Sequence, residues 1–502
     1  MKKGRTLLVC FFIFVFFVLN LAIPPFQSPD EPKHFAAALE FARGPAAKVA
    51  IQRDILRLMD RYDWWRLVGI RKPSTLPARF EEIKYLVGSY EVSDYLVLLN
   101  NMLLYHFLLG KALALAPSKS TLLAYYLARG LSALLLAAAL IVLYATFKLL
   151  AGRFAAWCVS GFFFILFLPQ FLITSVAVSP DAFCIFLGSV FFYAALSIIG
   201  GRKGGFYWAR LFAPAIVGAL TDKSLFPLLP LSFCVFFFLM TRRNYQKIAV
   251  LLVLLSIVSI LALYFTTLIF PRSMENVFVI IRNYIFLALP SLKSVFSFDP
   301  FNKRFVSMIT DSFFLKFGWM SFGPGQIIAW IWRVAVLCSA VGLVVFLGRV
   351  FLGKIAGRMK DLAGRTAIHE EKSNQEIRRV SSTASRILAF SFLAFFAQLA
   401  SIRLAASPGN NYAQGRYLFP VIAPAALLFV LGLKSLFDLF GRGVRASSLR
   451  PVLLGLIPSS RGTGIFALKA FLVLEFLLLN FILWNEVIPV FHLTLKSMYP
   501  GI

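Results

Sequence analysis

Ser28-Pro29-Asp30-Glu31-Pro32-Lys33-His34 places two carboxylates and an imidazole within five residues, in a chain where only 15% of residues are charged. On a helix, Asp30 and His34 lie four apart and Glu31 and His34 three apart, so each acid shares a face with the imidazole. Such a face can offer a general base to a hydroxyl substrate. It can also supply ligands to a divalent cation, Mg2+ or Mn2+, through Asp30, Glu31 and His34. A purely structural reading is equally available. Ser followed three residues later by Glu is a capping box, with Pro29 at the first helical position and Gly44-Pro45 closing a helix over 29–43.

Three further polar turns interrupt apolar sequence. Ser179-Pro180-Asp181 repeats the Ser-Pro-acid device. Asp222-Lys223 reads either as a local ion pair or as a lysine for a phosphate. Asn410 to Tyr417 ends in Arg416-Tyr417, where the guanidinium either snorkels toward water or clamps a phosphate bidentately. Arg129, Arg333 and Glu475 fall inside apolar runs. Charges there are costly and must be paired or functional, so Arg129 or Arg333 is a candidate partner for Glu475.

The elements that must position these residues are membrane helices. The chain is 60% hydrophobic over 502 residues, with 55 Phe and a mean hydropathy of +0.81, far beyond a soluble domain. A net charge of +29 raises nucleic acid as a partner. The basic residues instead recur in short clusters between apolar runs, without a basic stripe interleaved with aromatics, which excludes that class and follows the positive-inside pattern. Cys10, Cys158, Cys184, Cys234 and Cys338 all sit in apolar runs and form neither a disulfide framework nor a zinc spacing. No Walker loop, dinucleotide fingerprint, zinc-protease helix or nucleophile elbow occurs.

Hydropathy and the basic clusters give about eleven spans, near 6–24, 121–149, 155–178, 181–200, 207–221, 224–240, 247–270, 327–353, 386–405, 416–440 and 466–489. The first is expected to be uncleaved, with a cytoplasmic N-terminus. The fold class is thus an all-α polytopic membrane protein forming a single integral domain over 1–502. Residues 25–120 form a first external loop, 271–326 a second, and 354–385 a solvated cytoplasmic loop with a short helix. Within the first loop, Ile51, Ile55, Leu58, Met59, Tyr62 and Trp65 form a stripe on a helix that either lies on the bilayer or packs against another external helix. The segment 94–116 is expected as a surface-lying or partly inserted helix.

The motifs resemble those of the bacterial and archaeal membrane family called domain of unknown function 2142. The matching stretches are Pro29 to Phe35 with Ala42-Arg43-Gly44, Leu168-Pro169-Gln170-Phe171 leading to Ser179-Pro180-Asp181-Ala182, Thr221-Asp222-Lys223, Ser312 to Trp319, and Gln414 to Pro420. That family is grouped with the GT-C glycosyltransferases. The resemblance implies a GT-C-like bundle that transfers sugar from a polyprenyl-phosphate donor to a glycan, lipid or protein acceptor, at the extracytoplasmic side of the plasma membrane. It implies Asp30 as base or metal ligand, Glu31 as its partner and Asp181 as second acid. Lys223, Arg416 and Tyr417 would bind donor phosphate, with His34 in support. A transporter or flippase of lipid-linked glycans, or a non-catalytic envelope-assembly subunit, are the rival classes.

Overall fold

A computed structural model describes residues 15–20, 23–28, 30–67, 72, 74–82, 104–115, 120–152, 156–174, 176–202, 204–239, 309–310, 312–313, 326–363, 371–405, 415–446 and 463–482. Among them every regular element is helical. Besides the single turn Trp64–Leu67 and several 3-10 turns, the elements are α1 (Glu31–Arg43), α2 (Lys48–Arg61), α3 (Leu104–Ala114), α4 (Thr121–Ala151), α5 (Val159–Leu166), α6 (Pro169–Thr174), α7 (Asp181–Ile199), α8 (Gly205–Ala219), α9 (Leu228–Leu239), α10 (Gln326–Ala363), α11 (Glu371–Ala405), α12 (Ile422–Ala446) and α13 (Thr463–Ile482). The protein is therefore a helical membrane protein. Among the described residues, five segments are long and apolar enough to cross a bilayer: Thr121–Ala151, Asp181–Ile199, Ile328–Arg349, Thr383–Ile402 and Arg416–Phe440.

The expected span over 155–178 is not one helix. α5 has eight residues and α6 six, separated by a turn at Phe167-Leu168. Pro169 explains the break. It donates no N–H and pushes the preceding residue away from helical backbone angles. α8, with Pro214 inside it, has 15 residues, and the described part of α9 has 12. Both fall short of the about 20 residues of a full crossing. The loop expected at 354–385 is largely helical, because α10 runs on to Ala363 and α11 begins at Glu371. The expected span 247–270 and nearly all of the expected loop 271–326 lie outside the described residues.

The main core packs α4, α5, α7, α11 and α12 around Phe164, Phe191, Phe390 and Phe429. Small residues let these helices approach closely. Gly342 on α10 faces Gly432 on α12, and Ser339 Oγ donates to Phe429 O at 2.9 Å. A second core belongs to the first loop. There α1, α2 and α3 close over Tyr125 and Ala128 of α4 and over Val178. Ile51, Ile55 and Met59 of α2 are at most 1% exposed, and Trp64 and Trp65 at most 2%. The stripe on α2 is thus spent on protein packing, which decides against its lying on the bilayer. α3 packs on α1. A Cβ at Gly110 would stand 2.5 Å from Ala38 O, so only glycine permits this approach.

Candidate functional site

α1 begins at Glu31, two residues later than the expected start, and ends at Gly44 (φ 88°). Asp30 occupies the cap position in left-handed conformation (φ 64°), which Asp tolerates better than most residues. Its side chain makes no capping bond. Only half of the capping box forms: Ser28 N donates to Glu31 Oε2 at 3.2 Å. The Asp30 carboxylate is consequently turned outward from the helix end. Lys33 Nζ stands 2.8 Å from Oδ1, and Arg416 Nη2 donates to Oδ2 at 3.2 Å.

Asp181 opens α7. Ser179 Oγ accepts from Asp181 N at 3.3 Å and donates to Asp181 Oδ2 at 3.2 Å. The helix-start reading of this Ser-Pro-Asp turn therefore holds locally. The same Oδ2 receives Arg416 Nη1 at 3.5 Å. Arg416 comes from the tight turn Gly415–Val421 that leads into α12. This turn is pressed onto α7 at Gly188, where any Cβ would collide with the Pro420 carbonyl. Arg416 thus spans two carboxylates from distant parts of the sequence. Its side chain is 11% exposed, its guanidinium carbon lies 5.4 Å from the centre of the Tyr417 ring, and its Nε is buried without a hydrogen-bond partner among the described residues.

The third turn is tied to the fourth. Gln398 of α11, fully buried, donates to Ser224 O at 2.8 Å and to Tyr417 O at 2.7 Å. Asp222 Oδ1 accepts from Ser224 N at 2.7 Å, which closes the turn that carries Lys223. The Lys223 side chain lies outside the described residues.

Glu31 is built differently from its neighbour. It is fully buried. Oε1 accepts from Tyr125 Oη at 2.7 Å and from Val178 N at 2.8 Å, and Arg129 Nε lies 3.7 Å away. Arg129 in turn donates to Ile23 O at 2.7 Å and Pro24 O at 2.9 Å. Arg129 is therefore spent on Glu31 and on the chain leading to it, not on Glu475. Both Glu475 oxygens are buried without a hydrogen-bond partner among the described residues.

His34 Nδ1 lies 2.8 Å from His106 Nε2 of α3, with the rings stacked. One ring must donate and the other accept. Desolvation, followed by the charges at His106, Lys33 and Arg416, holds the His34 imidazole well below its usual range. Asp30, Glu31 and His34 are thus not arranged as one ligand set. Glu31 is committed to three internal donors and His34 to His106. Among the described residues no group of three His, Cys, Asp or Glu is placed to hold a metal ion.

The structure therefore brings together Asp30, Asp181, Arg416 and Tyr417, and sets Glu31 and His34 in neighbouring networks of their own. Sequence reasoning missed Lys33, His106, Tyr125 and Gln398. Lys33 carried a signal, being one turn from Asp30. The other three are single polar residues in apolar runs, with no spacing to mark them. No protein-family model, curated protein or solved structure matches the chain, so the family resemblance rests on the short motifs alone.

Proposed function

We propose that the chain is a membrane glycosyltransferase that moves a sugar from a polyprenyl-phosphate donor to a glycan, lipid or protein acceptor on the extracytoplasmic side. One observation carries this reading. Arg416 sits between Asp30 and Asp181, each from a different turn, at 3.2 and 3.5 Å. Helix packing alone does not require two half-buried acids at one guanidinium that keeps a spare donor.

In the reaction, Asp30 accepts the proton of the acceptor hydroxyl. The acceptor oxygen bonds to the anomeric carbon, and the bond from that carbon to the phosphate oxygen breaks with inversion. The leaving phosphate takes both electrons of that bond and is held by Arg416. Its Nε and the two Nη donors can meet phosphate oxygens as a fork. As Arg416 turns to the phosphate, it releases Asp30 Oδ2 for the proton. Lys223 adds a point charge, the Tyr417 ring backs the guanidinium, and Asp181 keeps Arg416 in register. No step is assigned to a metal ion.

The test is mass spectrometry of glycans and lipid-linked sugars in a strain lacking the protein, complemented with wild type or Asp30→Asn. The reading expects a sugar-bearing product to vanish on deletion, to return with wild type and to stay absent with Asp30→Asn. An unchanged glycan profile on deletion would remove it.

A further inference from the structure

With its apolar stripe buried, α2 leaves its other face to water, and that face is basic. The helix carries four basic residues against two acids. Arg53, Arg57 and Arg61 recur at four-residue steps and are all exposed, and Lys48 is exposed at the helix start. The three arginines form a ridge about 12 Å long, at about 1.5 Å per residue. Like charges four apart on a helix repel, so the ridge works against folding. The two acids do not cancel it. Asp60 Oδ1 is taken by Lys72 Nζ at 2.7 Å. Asp54 Oδ2 accepts from Thr121 Oγ1 at 3.1 Å, and its other oxygen reaches Arg57 only at 4.0 Å. Phe80 N donates to Gln52 Oε1 at 3.3 Å, which fastens the exposed Arg79 beside the same helix.

These features select an occupant. Guanidinium groups in a row call for anions in a row, which one free phosphate does not offer. From Pro45 to Trp65 no large apolar side chain is exposed, and Trp64 and Trp65 are buried. A helix that docks on a bilayer needs an apolar face to insert. A protein partner needs an apolar centre to close on. The outer face of α2 offers neither. α2 sits over the first residue of α4, through Thr121, and its core includes Val178, close before Asp181 opens α7. The ridge is thus at the end of the bundle that carries Asp30 and Asp181, and Lys148 lies at the other end of α4.

We infer that the ridge of Arg53, Arg57 and Arg61 binds a linear anionic glycan, one with an acid group at successive repeats. Each guanidinium meets an oxyanion as a fork. Among the acceptors that the transferase reading allows, a lipid or a protein lacks apolar surface to hold here, which leaves the glycan. That choice of acceptor rests on the transferase reading; the binding of a linear polyanion does not.

The test uses the full-length protein in phosphatidylcholine nanodiscs, without donor, and measures binding of fluorescein-labelled polygalacturonate, with dextran as the neutral counterpart. Polygalacturonate should bind and dextran should not. Binding should weaken as salt shortens the Debye length from about 10 Å at 0.1 M to about 3 Å at 1 M. Arg53→Gln, Arg57→Gln and Arg61→Gln together should lower the affinity about tenfold, the worth of three exposed charge contacts. They should not lower the unfolding temperature, because repulsion along the row is relieved. Lys148→Gln, Arg202→Gln and Arg210→Gln together remove the same charge at the other end of the bundle, and should leave binding unchanged. Equal binding of dextran, or equal loss in both triple variants, would overturn the inference. So would displacement of polygalacturonate by phosphatidylglycerol vesicles, which would give the ridge to lipid. No donor is present, so these outcomes are separate from those of the transfer assay.

Discussion

Two adjacent residues, Asp30 and Glu31, head two charge clusters of opposite character. Glu31 is sealed. Its oxygens take a phenol and two backbone N–H groups, its counter-ion Arg129 is fully buried, and that arginine is itself fastened to two carbonyls. Asp30 is partly open, and among the described residues its carboxylate meets only side chains, Lys33 and Arg416. Bonds to backbone cannot be exchanged without moving the fold, whereas bonds between half-buried side chains can be traded for a ligand. The first cluster therefore holds the corner and the second is available for chemistry.

The comparison breaks most visibly at Glu31. Glu31→Ala strands Arg129 as an unpaired buried cation, and should cost about 3–5 kcal/mol, read as loss of folded protein by thermal unfolding in detergent. Arg129→Met should be milder than Arg129→Ala, because the apolar replacement refills the space. Equal stability of Glu31→Ala and wild type would mean that the sealed cluster holds nothing.

At Gly188 the same logic tests the seat of Arg416. Gly188→Leu forces the Gly415–Val421 turn off α7, at a cost of about 1–3 kcal/mol from overpacking. Activity should fall more than stability, since Arg416 moves away from Asp181. A smaller effect is expected at Gln398. Gln398→Leu removes the amide that ties the Ser224 and Tyr417 carbonyls together, and should lower stability by about 1–3 kcal/mol. Proteolysis at the 222–226 turn should rise with it.

These experiments bear on what was legible in the sequence. Helix α1, its glycine stop and the amphipathic stripe of α2 followed from local patterning. The acids and Arg416 stood out because charges are rare in this chain. The destination of the α2 stripe was not legible, because protein and lipid bury apolar residues alike. Nor was the division between Asp30 and Glu31. It depends on Tyr125 and Val178, 94 and 147 positions beyond Glu31, which come near only in the folded chain. The break within 155–178 was not legible because hydropathy averages across Pro169, which the backbone cannot.

The smallest effect concerns His34. Its imidazole resists protonation in the folded protein relative to the ordinary value of 6.5. Below that pH the unfolded chain binds a proton that the folded chain refuses, so stability should fall with decreasing pH until the folded group also titrates. The slope is at most about 1.4 kcal/mol per pH unit, and less here because His34 is only partly buried. His34→Gln should flatten it. A slope between pH 6.5 and 5 unaltered by that change would free His34 from the role.

The most direct measurement sets Asp30→Asn beside Glu31→Gln and reads thermal unfolding and product formation on both. The account predicts that Asp30→Asn, which leaves Arg416 still paired with Asp181, loses less stability than Glu31→Gln, yet forms no glycosylated product. It predicts that Glu31→Gln is clearly destabilised, with whatever remains folded still active. An active Asp30→Asn, or a Glu31→Gln that is stable but inactive, would contradict it.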